Sequence, residues 1–422
     1  MKKIKIDVVV LPLSGHLYPT MNLLAPLLQN PQYEIRLFTG PQKKAVAEAV
    51  GFQVLPILEG HVKEFEKAAN NKEQLGIFSA YRQLSASLDL INLVSDQLIQ
   101  EWTNHRPDIV IVDFITLSGG LVANQLGIPW ITTMATQFVL ETTDGPPCFM
   151  GGMGSPKNFW QATIQFLGRK ATRIVKRIVS FSFRNRLKRY KFKLYNQLGH
   201  ETIYSRYSIL AIGMKEVELK KGFPEHFRWV GPSGASVEAG EDYPLDLTPF
   251  RERKKILVTC GTQLAWAKEN LIYQAKQLAK AHPDCHFFVT RGVGGEAFQC
   301  ENLMENLSLV SYLPYKEYIP KMDYVIHHGG AGIFYQCIIY GKPALILPHD
   351  YDQFDYAVRG VEAGVAFTAK RDNSKTIGQS FEELLAKENW PELETLRQAA
   401  QSYHPTEILE NEIHRLLANK EK

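Results

Sequence analysis

Along the first 60 positions the hydrophobic pattern switches period several times. Residues 6–11 form an apolar, β-branched run broken only by Asp7, Ser14-Gly15-His16 reads as a turn, and 18–28 space their apolar residues as a helix does. Residues 34–39 and 52–57 read as further strands with a short helix, 45–50, between them. Strands alternating with helical segments predict βαβ units and a parallel sheet covered on both faces. The pattern resumes with strand 108–113, helix 118–126 and strand 129–135, then a long helical stretch from about 160 to 198 and a strand at 208–213.

Val230-Gly231-Pro232-Ser233-Gly234-Ala235-Ser236 and the acidic, Pro-bearing stretch 238–249 break this rhythm and read as a connector. Beyond it strands are expected at 255–259, 286–290, 308–312, Tyr324–His327, 344–347 and 365–369, with helices at 266–281, 331–340, 353–363 and from 380 onward. The expected fold is α/β, two Rossmann-like doubly wound domains facing each other across a cleft. The N-terminal domain covers 1–232, a linker 233–250 and the C-terminal domain 251–395, and a last helix, 396–422, packs back on the first domain. Open α/β sheets bind ligands at the carboxyl ends of their strands, so the cleft is the expected site.

Composition narrows the class without naming a function. With 422 residues, 45% apolar and 22% charged, the chain is neither collagenous nor broadly disordered. A formal charge of +4 is too small to argue for nucleic acid. The five cysteines, Cys148, Cys260, Cys285, Cys300 and Cys337, form no C-x-x-C pair. A disulfide scaffold or structural zinc site is therefore not expected, and a reducing, cytoplasmic compartment fits. The apolar run after the basic first residues spans only 8–13, short for a signal peptide, and no stretch approaches the roughly 18–20 apolar residues of a spanning helix. The expectation is a soluble protein, at most peripheral to the inner face of a membrane.

Residues 324–353 hold the densest chemistry. A strand runs into His327-His328-Gly329-Gly330-Ala331-Gly332 and then a helix. Small residues at such a turn let backbone N–H groups approach an anion, and the helix N-terminus favours negative charge. Alone this also fits a tight βα turn with an incidental histidine pair. The sequel, Gly341-Lys342-Pro343, then Pro348, then Asp352-Gln353, completes a spacing that resembles the donor signature of nucleotide-sugar glycosyltransferases. The family is that of the plant-metabolite and macrolide and glycopeptide antibiotic enzymes, the UDP-glycosyltransferase-like group of the GT-B fold.

The resemblance implies that His327 contacts the donor diphosphate, that Gly329, Gly330, Ala331 and Gly332 cradle it, and that Asp352 and Gln353 hold sugar hydroxyls. Val258-Thr259-Cys260-Gly261-Thr262 resembles the family's first C-terminal strand and turn, assigning Gly261 and Thr262 to the nucleotide side. Tyr312 in Ser311-Tyr312-Leu313-Pro314 takes the place of the ring that stacks on the base, a role open to any aromatic face. Tyr315, Tyr335 and Tyr356 depart from the plant pattern, which has Gln, Glu and Asn there, with Gln336 beside Tyr335. The donor is expected to be a UDP-sugar, with dTDP-sugar as the alternative.

In the first half, Gly15-His16-Leu17-Tyr18-Pro19 resembles the family's acceptor-side turn, which makes His16 the general base on the acceptor hydroxyl. An imidazole with an ordinary pKa near 6.5 keeps a basic nitrogen at neutral pH. Asp113, at the end of strand 108–113, is the candidate that orients His16 and stabilises its cation.

From Arg169 to Lys193 there are eleven Lys and Arg residues and no Asp or Glu, interleaved with Ile174, Val175, Ile178 and Phe181. The favoured reading is a helix with a solvated basic face and a core-facing apolar stripe. The alternative is contact with anionic lipid headgroups or an acidic lipid-linked acceptor.

The expected activity is that of an inverting, metal-independent hexosyltransferase moving a hexose from the nucleotide-diphosphate sugar to a hydroxyl of a small-molecule or lipid acceptor. The sugar nucleotide is a co-substrate; no cofactor, metal or nucleic acid is expected. A UDP-N-acetylglucosamine 2-epimerase-like enzyme and a non-catalytic glycosyltransferase partner are the alternatives. The His16 and Asp113 pattern speaks against both.

Overall fold

The computed structural model describes residues 3–69, 77–233, 244–261, 264–292, 298–350 and 352–418. In chain order the first half runs β1 (Ile4–Val9), α1 (Ser14–Leu24), β2 (Tyr33–Thr39), α2 (Lys44–Val50), β3 (Gln53–Pro56), α3 (Val62–Ala69), α4 (Ile77–Asn104), β4 (Ile109–Asp113), α5 (Leu117–Leu126), β5 (Trp130–Met134), α6 (Phe159–Ser182), α7 (Arg184–Leu187), β6 (Ile209–Ile212) and β7 (Phe227–Gly231). The second runs β8 (Lys254–Thr259), α8 (Lys268–Ala281), β9 (Cys285–Thr290), β10 (Cys300–Met304), β11 (Leu307–Val310), α9 (Tyr315–Tyr318), β12 (Tyr324–His327), α10 (Ala331–Ile339), β13 (Ala344–Ile346), α11 (Gln353–Glu362), β14 (Ala366–Thr368), α12 (Ser374–Ala386), α13 (Pro391–Gln401) and α14 (Pro405–Ala418).

Two seven-stranded sheets result, ordered β3-β2-β1-β4-β5-β6-β7 and β10-β11-β9-β8-β12-β13-β14. The first is parallel throughout. The second carries one antiparallel edge strand, β10 against β11, which the all-parallel expectation lacked. Strand order reverses between β1 and β4 in one sheet and between β8 and β12 in the other. At such a reversal the flanking connections leave to opposite faces and open a crevice beyond the strand ends.

Each sheet buries its continuous apolar strands between helical layers. Ile6, Val8, Ile109, Ile111 and Ile131 meet Leu17, Met21 and Leu24 of α1 on one face, where Leu409, Ile413 and Leu416 of α14 join the same core. The chain therefore returns to the first sheet at its end, tied there by Tyr33 Oη and His414 Nε2 at 3.1 Å. α13, which crosses the expected 395/396 boundary, instead sends Leu393 and Leu396 into the second core.

Three local expectations are corrected. Ser14-Gly15-His16 is no free turn but the first turn of α1. Val230 and Gly231, read as connector, close edge strand β7. The helix expected to reach 198 stops at Ser182, where the chain bends so that Phe183 and Leu187 bury against Leu88, Ile91 and Leu121. Among the described residues no helix is long and apolar enough to cross a membrane.

Candidate active site

Both strand-order reversals are occupied by histidines. His16 follows β1, Asp113 ends β4, and the pairing of these strands sets the two elements side by side. His16 Nδ1 lies 3.1 and 3.3 Å from the two carboxylate oxygens of Asp113. An ionised carboxylate only accepts, so Nδ1 carries the hydrogen and Nε2 of the neutral ring presents its lone pair. Asp113 is buried and also accepts from the Ile115 N–H at 3.2 Å, which fixes its orientation. The imidazole remains 21% exposed and packs on Phe114 with ring centres 5.0 Å apart. Burial pulls its pKa down, but the charge and hydrogen bond of Asp113 and the charge of Asp352 outweigh that, so the net shift is upward.

Asp352 belongs to the second half, so the two halves converge electrostatically on His16. Burial raises the Asp352 carboxyl to about 6, aided by the charge of Asp355 and opposed by the Thr136 hydroxyl and by His16. Helices α1 and α10 also touch across the cleft.

On the other side, β8 and β12 pair with His327 opposite Thr259, which brings Gly261 beside the 328–330 turn. Thr262 lies outside the described residues. Gly329 has φ +90°, and a Cβ there would stand 2.9 Å from the Gln353 carbonyl oxygen, so glycine is required. Its N–H donates to His327 Nδ1 at 3.0 Å. The hydrogen of the neutral His327 ring is thereby placed on Nε2, which is buried without a partner among the described residues. His328 Nδ1 is likewise unpartnered, and its ring lies against the Cβ positions of Gly261 and Gly330. Burial, with mutual repulsion, drives His327 well below its ordinary value. Burial and the neighbouring His349 lower His328 to about 3, against a hydrogen bond at Thr259.

α10 begins directly after this turn, with Gly330 as its N-cap residue, no side-chain cap and no acid in its first turn. A Cβ at Gly332 would meet nothing within 4 Å. With Ala331, the turn thus presents uncapped N–H groups to open space, a geometry suited to phosphate oxygens. Asp352 caps α11 by position, and Gln353 Oε1 accepts from the N–H groups of His349 (2.9 Å) and Asp350 (3.1 Å). The Gln353 carbonyl is therefore engaged in holding its own loop, and only its amide nitrogen is left for a ligand. Tyr312 follows β11 half-buried against the second core.

The three tyrosines that break the plant pattern have structural partners. Tyr315 Oη reaches Thr259 Oγ1 at 3.1 Å. Tyr335 and Tyr356 form an aromatic cluster with Phe334, and Tyr335 Oη accepts from the Met214 N–H of the first half at 3.4 Å. Gln336 Nε2 donates to Ser233 O at 3.0 Å. Tyr335 and Gln336 thus tie the second half to Met214 and Ser233, while Tyr315 braces the end of β8. The sequence reading gives no role to His328, nor to Thr136, which stands just past β5 and whose hydroxyl bears on Asp352.

Among the described residues no group of three or more His, Cys, Asp or Glu is placed to hold a metal ion.

Residues 294–414 match the family described as "Erythromycin biosynthesis protein CIII-like, C-terminal domain". The chain is 24% identical over 371 residues to the NDP-glycosyltransferase YjiC of Bacillus subtilis (strain 168), covering 86% of this chain and 84% of that one. It is 21% identical over 412 residues to 4'-demethylrebeccamycin synthase of Lentzea aerocolonigenes, covering 90% and 91%. The crystal structure of the glycosyltransferase of kitacinnamycin superposes with a TM-score of 0.75 at 18% identity, covering 99% of this chain and all of that one. The structural likeness establishes the GT-B fold. With the sequence relatives it makes the chain a nucleotide-sugar-dependent glycosyltransferase of that fold, related to the natural-product enzymes.

Proposed function

We propose that this GT-B glycosyltransferase moves a hexose with inversion, and without a metal, from a UDP-sugar, or a dTDP-sugar, to a hydroxyl of an apolar small molecule or lipid. The observation that carries the reading is the His16–Asp113 pair at 3.1 Å, facing a histidine-lined, uncapped helix N-terminus across the cleft. His16 Nε2 takes the acceptor proton as the hydroxyl oxygen attacks the anomeric carbon and the bond to the diphosphate breaks on the opposite face. Asp113 stabilises the imidazolium so formed. The departing diphosphate gains charge beside His327 Nε2–H, Gly261 and the N–H groups of Gly329, Gly330, Ala331 and Gly332, which take the place of a metal. Asp352 and the amide nitrogen of Gln353 take the sugar hydroxyls, and Tyr312 faces the base.

The test is a donor panel of UDP- and dTDP-hexoses incubated with hydroxyl-bearing aglycones, with products read by mass spectrometry and anomeric configuration by NMR. Transfer with inverted configuration, undiminished in EDTA, is expected. Retained configuration, or a loss in EDTA that Mg²⁺ restores, overturns the mechanism. Sugar epimerisation without transfer overturns the activity.

A further inference from the structure

α6 is inside out. The face it turns to the protein is polar and small: Gln165, Gly168 and Thr172 are buried, and Lys176 reaches inward to Glu201 at 2.6 Å and to the Val139 carbonyl at 3.0 Å. The face turned outward is apolar. Of the seventeen exposed large hydrophobic side chains among the described residues, nine sit on this one helix, from Phe159 and Trp160, 75% and 73% exposed, to Phe181. The core-facing stripe expected from the sequence is therefore corrected: the stripe exists, but it faces away from the core. Asn158 caps the helix by accepting from the Gln161 N–H at 2.9 Å, so the face belongs to a well-terminated helix.

The cations divide in the same way. Arg169, Arg173, Lys176, Arg186 and Arg189 are paired with carboxylates. Lys170, Arg177, Arg184, Lys188, Lys191 and Lys193 have no ion pair among the described residues, and Lys170 and Arg184 lie over the Phe166 and Phe181 rings of the apolar face. Three of them, Arg177, Arg184 and Lys193, line a cavity of about 220 Å³ with Phe181 and Phe192, and no acid lines it. A helix of 24 residues, roughly 36 Å long, with half its circumference apolar and its edge basic, has the build of an in-plane interfacial helix.

We propose that α6 lies in the surface of an anionic phospholipid bilayer, its Phe159-to-Phe181 face among the acyl chains and its unpaired cations on the headgroup phosphates. The cavity at Arg177, Arg184 and Lys193 receives one headgroup. The apolar surface continues through exposed Phe149 and Met150 to Gly152, whose Cβ position is 3.6 Å from Phe354, two residues beyond Asp352. An apolar acceptor dissolved in the bilayer would thus enter the cleft beside the donor without crossing water. That consequence rests on the proposed function; docking itself does not.

Sedimentation with phosphatidylcholine vesicles, with and without phosphatidylglycerol, tests the docking. Wild-type protein is expected to pellet with the anionic vesicles, to be released by high salt, and to show a blue shift of tryptophan fluorescence that Trp160→Phe diminishes. Replacing Lys170, Arg177, Arg184 and Lys193 by Gln should weaken partitioning about a hundredfold or more, at roughly a fivefold loss per cation. Phe159→Ser with Trp160→Ser should weaken it by at least about tenfold. These side chains are exposed, so unchanged thermal unfolding shows that the variants are folded. Protein that stays in the supernatant with anionic vesicles at low salt overturns the proposal, as does equal binding to neutral vesicles. A concentration-dependent dimer that Trp160→Ser dissociates, without vesicle binding, would make this face a contact between copies of the chain.

Discussion

His16 and the His327–His328 pair occupy equivalent places in the two sheets, the carboxyl end at the strand-order reversal, yet their electrostatics run in opposite directions. His16 is partly exposed and has a buried carboxylate at 3.1 Å, so its pKa rises. The second-half histidines have glycines, backbone and other histidines as neighbours, so burial acts almost unopposed and both stay neutral. One fold position thus yields two tools, and the acid beside the ring decides which. A ring backed by a carboxylate can take and hold a proton. A neutral ring with one N–H left over can donate to an oxyanion without first gaining a proton.

The sharpest way to break that division is His16→Ala. Turnover at saturating substrates should fall by roughly 10²–10⁴-fold while nucleoside-diphosphate affinity stays within about twofold, because a base on the acceptor does not touch the donor. A variant that retains a third of its turnover, or one that loses UDP affinity instead, would place His16 on the wrong side of the cleft.

His327→Ala and His328→Ala should do the reverse. A hydrogen bond to a charged phosphate is worth about 1.5–3 kcal/mol, so each variant should bind UDP and dTDP roughly 10- to 100-fold more weakly by calorimetry. Unchanged affinity in both would remove the pair from the donor site. A loss in only one would show which of the two unpartnered nitrogens meets the diphosphate.

How far such a contrast can be read from sequence depends on whether the cause is local. Strand Tyr324–His327 is legible to the residue because a buried apolar run is bounded by Asp323 on one side and by the histidines and glycines on the other. β10 is not, since Cys300, Glu301 and Asn302 lie on an exposed edge and leave no apolar pattern. β7 is masked by the glycine that ends it and the proline that follows, and α4 by the serines that dilute its apolar stripe. In α6 the period reveals a stripe, but which side packs is settled by Glu201, 25 residues beyond Lys176. The opposite shifts of the histidines have the same origin, for Asp113 is 97 residues from His16. Motif spacing marks the rings; only the topology places the acid.

The carboxylate contribution has its own readout in pH. His16 works as a base only when neutral, so turnover should fall as pH drops through a pKa above its ordinary 6.5. Asp113→Asn removes the anion that favours the imidazolium, so this acid limb should move to lower pH. The plateau should drop less than in His16→Ala, because an orienting group supports the transfer without performing it. An acid limb that stays in place would mean that another group titrates there.

Asp352 is the group through which the two sites feel each other, and it carries the smallest predicted effect. Its folded-state pKa of about 6 lies above the ordinary 3.8, so the folded protein holds this proton more tightly than the unfolded chain. Stability therefore falls as pH rises from about 4 to about 6 and stays lower above that, where the carboxylate is buried and charged. A shift of about two units bounds the cost near 3 kcal/mol, and partial access to water reduces it to about 1–2 kcal/mol. Asp352→Asn removes the charge and keeps the shape. It should raise the unfolding midpoint by about 1–2 °C at pH 8 and by almost nothing at pH 4, where the aspartate is protonated in both states. Transfer should weaken in the same variant if the carboxylate holds sugar hydroxyls, making this a site where activity is kept at the expense of stability. An equal gain at both pH values would show that the carboxylate's charge is not what the fold resists.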